Sequence, residues 1–274
     1  LLLLALAAPA RAREAWTVGT WKTAQTIQPF FYERFAPDAQ VTVLPFTNPA
    51  DQKAALLSGS LDMAGTTLAL AIQAASRGEP IRLVASLCEK CSALVVRKGG
   101  PVHGVADLRG RRIGYVPGTM HEILLRETLA RAGVDPNRDA TLLRVDFFDM
   151  GTALARGDID AFLSGEPLPT LARLQGYAEV LAYPYFDDSI GPINAGLIVR
   201  AETADREPDK VAAMVAAHAR TTEALRADPG LWLGEAASRF GVPREVLDLA
   251  APNMALAWDM DRTFRERLAR LGRR

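Results

Sequence analysis

The phrase Ala54-Ala55-Leu56-Leu57-Ser58-Gly59-Ser60-Leu61-Asp62-Met63-Ala64 recurs about a hundred residues later as Thr152-Ala153-Leu154-Ala155-Arg156-Gly157-Asp158-Ile159-Asp160-Ala161-Phe162. Each copy reads as a helix end, a Gly able to take the left-handed C′ position, and a short apolar strand entered through Asp. The chain therefore carries one αβ unit twice. Gly65-Thr66-Thr67 follows the first copy and Ser164-Gly165-Glu166-Pro167 the second, so small and polar residues sit where each strand ends. Ligands of open α/β sheets bind beyond the carboxyl ends of the strands. Two such ends, one in each half, point to a cleft between two lobes.

The segments around these copies alternate in the same way. Residues 16–20, 41–46, 62–65 and 81–86 read as strands by their apolar and β-branched patterning, with helices over 27–35, 52–57 and 68–76 between them. A second α/β run follows, with strands at 112–116, 142–145 and 159–163 and helices at 121–132 and 151–156. Ala93-Leu94-Val95-Val96-Arg97 and Ala195-Gly196-Leu197-Ile198-Val199-Arg200 match each other and bracket that run, as two crossings of a hinge would. Beyond them the chain reads as helices at 208–226, 231–240, 244–250 and 261–271, expected to pack back on the first lobe. The resulting division is residues 13–94 with 197–274 as lobe 1, and 95–196 as lobe 2.

Residues 1–8 are an apolar run, and Ala10 and Ala12 satisfy the small-x-small rule for leader cleavage. Residues 1–12 are thus expected to be the remnant of a signal peptide, with the mature chain starting at Arg13, exported and soluble in the periplasm without membrane insertion. The 32 basic residues balance the 32 acidic ones. That balance argues against nucleic acid and against a polybasic membrane surface. The two cysteines provide no disulfide framework.

From residue 17 to about 253 the chain resembles the extracytoplasmic substrate-binding proteins of ABC importers, in particular the group that binds nitrate, taurine, aliphatic sulfonates and thiamin precursors. The resemblance is carried by Leu57-Ser58-Gly59-Ser60-Leu61-Asp62, Gly78-Glu79-Pro80-Ile81, residues 93–98, Ala106-Asp107-Leu108-Arg109-Gly110, Pro117-Gly118-Thr119, and Gly157-Asp158-Ile159-Asp160-Ala161 with Glu166-Pro167. It implies an α/β fold of two lobes and two hinge crossings, the type II periplasmic-binding-protein fold. It also implies a monomer that closes on a sulfonate, nitrate, carboxylate or small heterocycle and delivers it to a membrane permease, with no cofactor, no metal and no catalysis. His103, His121 and His218 are the three histidines, and no H-E-x-x-H or G-x-S-x-G pattern occurs.

Candidate ligand contacts lie at the strand ends. Gly118 and Thr119 open a helix after a strand, where free N–H groups would favour an anion, and His121 stands on the same first turn. Thr66 and Thr67 hold the equivalent place in the first half, and Thr20 and Trp21 follow the first strand, Trp21 with a flat face and one N–H donor. Glu166 is restricted by Pro167, and Asn194 precedes the second matched strand. Each has an ordinary structural use as well: helix cap for Thr119, core packing for Trp21, a solvated loop for Glu166, a turn for Asn194. Phe147, Phe148, Tyr183, Tyr185 and Phe186 add aromatic groups close by.

Cys88-Glu89-Lys90-Cys91 lies outside the family pattern. In an oxidising compartment a disulfide between Cys88 and Cys91 is the expected state. A soft-metal site with His121, or a thiol-redox role, is the rival reading of the pair. Two further rivals share the architecture, a pyrimidine-forming enzyme of thiamin biosynthesis and the ligand domain of a transcription regulator. The first needs a cofactor lysine or a His and Cys cluster in the cleft, and the second a helix-turn-helix.

Overall fold

The computed structural model describes residues 14–273; the expected leader, residues 1–12, lies outside them. Ten strands occur among the described residues: β1 (Glu14–Trp21), β2 (Ala39–Phe46), β3 (Met63–Thr67), β4 (Ile81–Cys88), β5 (Ser92–Arg97), β6 (Arg112–Tyr115), β7 (Thr141–Arg144), β8 (Ala161–Gly165), β9 (Ala178–Ala182) and β10 (Ala195–Arg200). They form two five-stranded sheets of identical plan, β2-β1-β3-β10-β4 and β7-β6-β8-β5-β9. In each, three parallel strands meet an antiparallel fourth, β10 in one sheet and β5 in the other. Sheet membership passes to the second sheet between Cys88 and Ser92 and returns between Ala182 and Ala195. The two matched segments thus lie beside the crossings, in equivalent places of the two sheets.

The repeated phrases have the conformation their residues suggest. Gly59 follows the helix Pro49–Leu57 at φ +84° and Gly157 ends the helix Met150–Arg156 at φ +82°, a region closed to most L side chains. The Asp that enters each strand clamps the strand beside it. Asp62 accepts from Thr17 N at 2.8 Å while its own N–H donates to Thr17 O at 2.8 Å. Asp160 repeats this with Arg112 N at 2.9 Å and Arg112 O at 2.8 Å. The arginine that ends each antiparallel strand reaches the same unit: Arg200 donates to Leu56 O at 3.0 Å, and Arg97 to Leu154 O at 2.6 Å. Helix-end carbonyls lack intrahelical donors, so a guanidinium there satisfies them and complements the helix dipole.

Residues 27–35 are tighter than the expected single helix. Gln28–Phe31 is a 3-10 turn with Pro29 in it, followed by the short helix Tyr32–Phe35. The strand β9 and the helix Leu168–Leu174 have no counterpart in the sequence reading, because their short polar-interrupted runs carry little periodicity. Beyond β10 the helices Pro208–Ala227, Pro229–Phe240, Arg244–Ala250 and Arg262–Leu271 follow the expected plan. Trp232, Leu233 and Leu247 from them pack with Ile27 and Phe31 of the first half. The last helix sends Phe264 and Leu271 into a cluster with Leu68 and Met120, which open helices following the two sheets' strands.

His218 is fully buried and pins this assembly. Its Nε2 faces Ser86 O at 2.9 Å and Ala257 O at 3.0 Å, so the proton resides there, and Nδ1 accepts from the Tyr32 hydroxyl at 2.9 Å. Burial lowers its pKa to about 4, and burial does the same to His121. The folded protein therefore refuses protons that the unfolded chain, with histidines near 6.5, accepts. Stability should be full above about pH 6.5 and fall toward about pH 4, by up to about 1.4 kcal/mol per pH unit per histidine. Urea unfolding across that interval measures it, and a flat profile would contradict the assignment. Tyr32→Phe should cost about 1–3 kcal/mol at neutral pH by leaving Nδ1 without its donor.

Candidate functional site

The carboxyl ends of β1, β3 and β8 and the segments leading into β5 and β10 converge on one cleft between the sheets, with a cavity of about 50 Å3. Its walls come from both halves. Trp21, Gln25, Phe46 and Thr67 contribute from the first, and His121, Phe147, Ser164 and Glu166 from the second. Cys91 and Asn194 lie at the crossings between them.

The floor is a closed hydrogen-bond network. Tyr185 Oη accepts from Cys91 N at 2.6 Å and Ser92 N at 2.5 Å, holding the backbone where it enters β5. Burial raises the Tyr185 phenol well above its ordinary range, so it stays protonated. Asn253 Nδ2 donates to Ser92 O at 3.1 Å and to Glu166 Oε1 at 3.2 Å. Glu166 Oε2 accepts from Thr170 N at 3.2 Å, and Glu166 N donates to Cys91 O at 2.7 Å. Burial raises the Glu166 carboxyl, against the lowering effect of the bond from Asn253. Both of its oxygens are engaged by the protein's own donors.

His121 stands above this floor. Its Nδ1 lies 2.9 Å from Ser92 Oγ, and its ring meets Phe147 edge to face at 5.2 Å. With its pKa lowered to about 4 the imidazole is neutral at physiological pH. Gly165 makes room for it, since a Cβ there would lie 3.2 Å from His121 Cε1 and 3.5 Å from Cys91 Sγ. Asn194 Nδ2 donates to Cys91 Sγ at 3.3 Å, and Asn194 O accepts from Leu68 N at 2.9 Å.

Three polar atoms on the cleft residues are buried with no hydrogen-bond partner among the described residues: Trp21 Nε1, Gln25 Oε1 and Ser164 Oγ. A buried polar group without a partner costs about 1–3 kcal/mol, and here a donor, an acceptor and a hydroxyl in that state belong to residues lining one cleft.

Trp21, Thr67, His121, Glu166 and Asn194 are thus brought together on the cavity lining. Thr20, Thr66, Gly118 and Thr119 are not on it. Thr20 Oγ1 donates to Thr26 O at 2.6 Å and fixes the turn after β1. Thr66 is buried within β3. Thr119 Oγ1 donates to Val116 O at 2.8 Å and accepts from Glu122 N at 3.4 Å, capping the helix Met120–Arg131. Gly118, left-handed at φ +74°, donates its N–H to Glu122 Oε2 at 2.7 Å. The Glu122 carboxylate, also paired with Arg126 Nε at 2.8 Å, thus stands beside the helix N-terminus that an anion would approach. Thr67 also caps a helix, accepting from Leu70 N at 3.3 Å. Asn253, Ser92 and Gln25 belong to no motif and reach the site only through folding.

The expected bridge between Cys88 and Cys91 is corrected by the structure, in which both are free, buried thiols. The turn between them is held by backbone instead. Glu89 N donates to Ala255 O at 2.9 Å, Ala255 N donates to Lys90 O at 3.2 Å, and Cys88 bridges to Leu256. The Cys91 thiol hydrogen-bonded to it, and then burial, keep Cys88 well above the usual thiol range. Among the described residues no three His, Cys, Asp or Glu side chains are placed to share a metal ion.

Two mixed sheets of identical plan facing one cleft define the periplasmic-binding-protein fold. The zinc-bound ligand-binding component of an ABC-type import system from Staphylococcus aureus is similar at a TM-score of 0.83 and 19% identity, over 95% of this chain and 91% of that one. The periplasmic aliphatic sulphonate binding protein SsuA from Escherichia coli gives a TM-score of 0.80 at 19% identity, over 95% of this chain and 86% of that one. The chain belongs to the NMT1/THI5-like family, whose model matches residues 38–230. A 4-amino-5-hydroxymethyl-2-methylpyrimidine phosphate synthase of Schizosaccharomyces pombe is 33% identical over 131 residues, 47% of this chain and 36% of that protein. A Brucella abortus protein provisionally named as a binding protein is 29% identical over 240 residues, 86% of this chain and 72% of its own length. The chain thus spans about a third of the yeast relative's length and most of the bacterial one's. Among the described residues no helix is long and apolar enough to cross a membrane.

Because Thr119 spends its hydroxyl on the backbone, Thr119→Ala should lower unfolding stability by about 1 kcal/mol in urea, as loss of a helix cap does. An unchanged midpoint would remove the capping role.

Proposed function

We propose that this chain is the periplasmic solute-binding component of an ABC importer, capturing a small uncharged planar heterocycle between its two lobes and passing it to a permease without chemical change. The moving bodies are the two sheets with their flanking helices, joined through residues 89–91 and 183–194 beside the division expected at 94/95 and 196/197, and they close by hinge motion as a monomer. The observation that carries the reading is the set of buried, unpartnered atoms Trp21 Nε1, Gln25 Oε1 and Ser164 Oγ on a cleft also walled by the rings of Trp21, Phe147 and neutral His121. Such a site stacks a flat ring and pairs with its edge.

A heterocycle is favoured over a sulfonate, nitrate or carboxylate on electrostatic grounds. Among the described residues Lys22 is the cation on the lining, and it is exposed at the mouth. A second carboxylate, that of Glu122, stands beside the helix N-terminus that would attract an anion, and buried Glu166 is on the cleft lining. An anion taken from water without a buried cation beside it would lose its hydration uncompensated. The family relation to a pyrimidine phosphate synthase supports the same ligand class and keeps an enzymatic role as the competing reading.

Titration with 4-amino-5-hydroxymethyl-2-methylpyrimidine and with ethanesulfonate, followed by calorimetry and small-angle scattering, tests this. The pyrimidine should bind and compact the protein while the sulfonate does neither. Trp21→Ala should weaken pyrimidine binding about tenfold or more, the scale of one lost stacking contact. Affinity should hold constant from about pH 6 to 8, because a His121 near pKa 4 does not titrate there. Binding of ethanesulfonate with the pyrimidine silent would overturn the ligand class, and conversion of the pyrimidine to a new product would favour the enzyme.

A further inference from the structure

A second, larger space adjoins the cleft. A groove of about 510 Å3 lies outside it and shares Lys22, Thr23, Phe148 and Leu168 with its lining. The inner cavity measures about 50 Å3, so the outer space exceeds it about tenfold. The shared residues form a neck, with Phe148, half exposed, as its most open ring.

Past the neck the walls are apolar and come from both halves. Val43, Phe240 and Val242 belong to the first half with its C-terminal helices, and Leu171 to the second. Phe30 packs edge to face on Phe240 at 6.0 Å, giving one wall a fixed aromatic surface. Arg239 sets its Cζ 4.1 Å from the Phe30 ring centre with its Nε donating to Glu235 Oε1 at 2.9 Å, so its charge is partnered on the same wall.

From this continuity we propose that the groove is a vestibular subsite for an apolar extension of the ligand: the solute is amphipathic, a flat polar head in the inner cleft joined past Lys22 to an alkyl or aryl group held by Leu171, Val242 and Phe240. The proposal rests on the reading of the inner cleft as a heterocycle site. The inner volume admits only a compact group, and the adjoining groove is where a larger attached part would have room. Because the walls belong to both halves, an extension lying there touches both lobes and adds its burial to their closure.

Two measurements test the subsite. In the first, 4-phenylbutan-1-ol, which has no heterocycle, is titrated into methyl-labelled protein. Methyl resonances of Val43, Leu171 and Val242 should shift, and Leu171→Glu should abolish the shifts while its melting temperature shows that it still folds. In the second, Kd is compared across ethers of the same pyrimidine whose 5-hydroxymethyl oxygen carries chains from methyl to hexyl. Each added methylene should tighten binding about two- to fourfold, the scale expected for burial of one methylene, and Leu171→Glu should remove that gain without altering the affinity for the unextended pyrimidine. Absence of methyl shifts overturns the subsite whatever the head group. Shifts without a chain-length gain, when the pyrimidines bind, overturn its role in holding the ligand. If no pyrimidine of any length binds while the methyl shifts persist, the heterocycle reading fails and the vestibule stands as an apolar subsite for another solute.

Discussion

Each half of this protein is organised around charged hydrogen bonds to backbone. An Asp locks the start of one parallel strand to its neighbour, and an Arg from the antiparallel strand closes on the end of the preceding helix. Asp62 with Arg200 and Asp160 with Arg97 do this in equivalent positions. A hydrogen bond to a charged group contributes about 1.5–3 kcal/mol, a sizeable part of a net stability of about 5–15 kcal/mol. The antiparallel strand is also the one next to the crossing, so the same contacts determine where each half ends. The position of the cleft depends on that arrangement.

The crossings are joined as tightly as the sheets. Tyr185, Asn253 and Glu166 reach the Cys91-Ser92 backbone from three separate parts of the chain, and the sulfurs beside it remain thiols. A floor satisfied from within leaves its polar groups unavailable to a ligand. The wall residues differ, for Trp21 Nε1, Gln25 Oε1 and Ser164 Oγ have no partner among the described residues. The carboxylate that the sequence marks most clearly, Glu166, is a bracing element in the structure.

Charge distribution argues in the same direction. Glu122 sets a carboxylate beside the N-terminus of its own helix, and both histidines that burial keeps neutral are coupled to hydroxyl groups. A low-dielectric cleft with no buried cation discriminates against anions through desolvation alone. Ligand class within a common fold thus follows from which polar groups the chain has already paired with itself, and two proteins of the same plan can differ completely in what they admit.

What the sequence by itself determined are the features written in local spacing. The repeated αβ unit, the left-handed Gly59 and Gly157, the matched strands, the C-terminal helices and the cleft between two halves all follow from periodicity, backbone chemistry and order along the chain. The placing of Trp21, Thr67, His121, Glu166 and Asn194 around that cleft was legible as well, because each stands at a strand end, a crossing or, for His121, the first turn of the helix after a strand. The tertiary structure alone decided which of the marked groups are spent. Thr119 gives its hydroxyl to Val116 O and Glu122 N, Cys88 and Cys91 are free thiols in a turn held by backbone bonds, and Asn253 arrives from 161 residues away to hold Ser92. Backbone propensity is a property of neighbours in sequence, whereas a hydrogen-bond partner is chosen by distance and direction in space, and no local pattern encodes that choice.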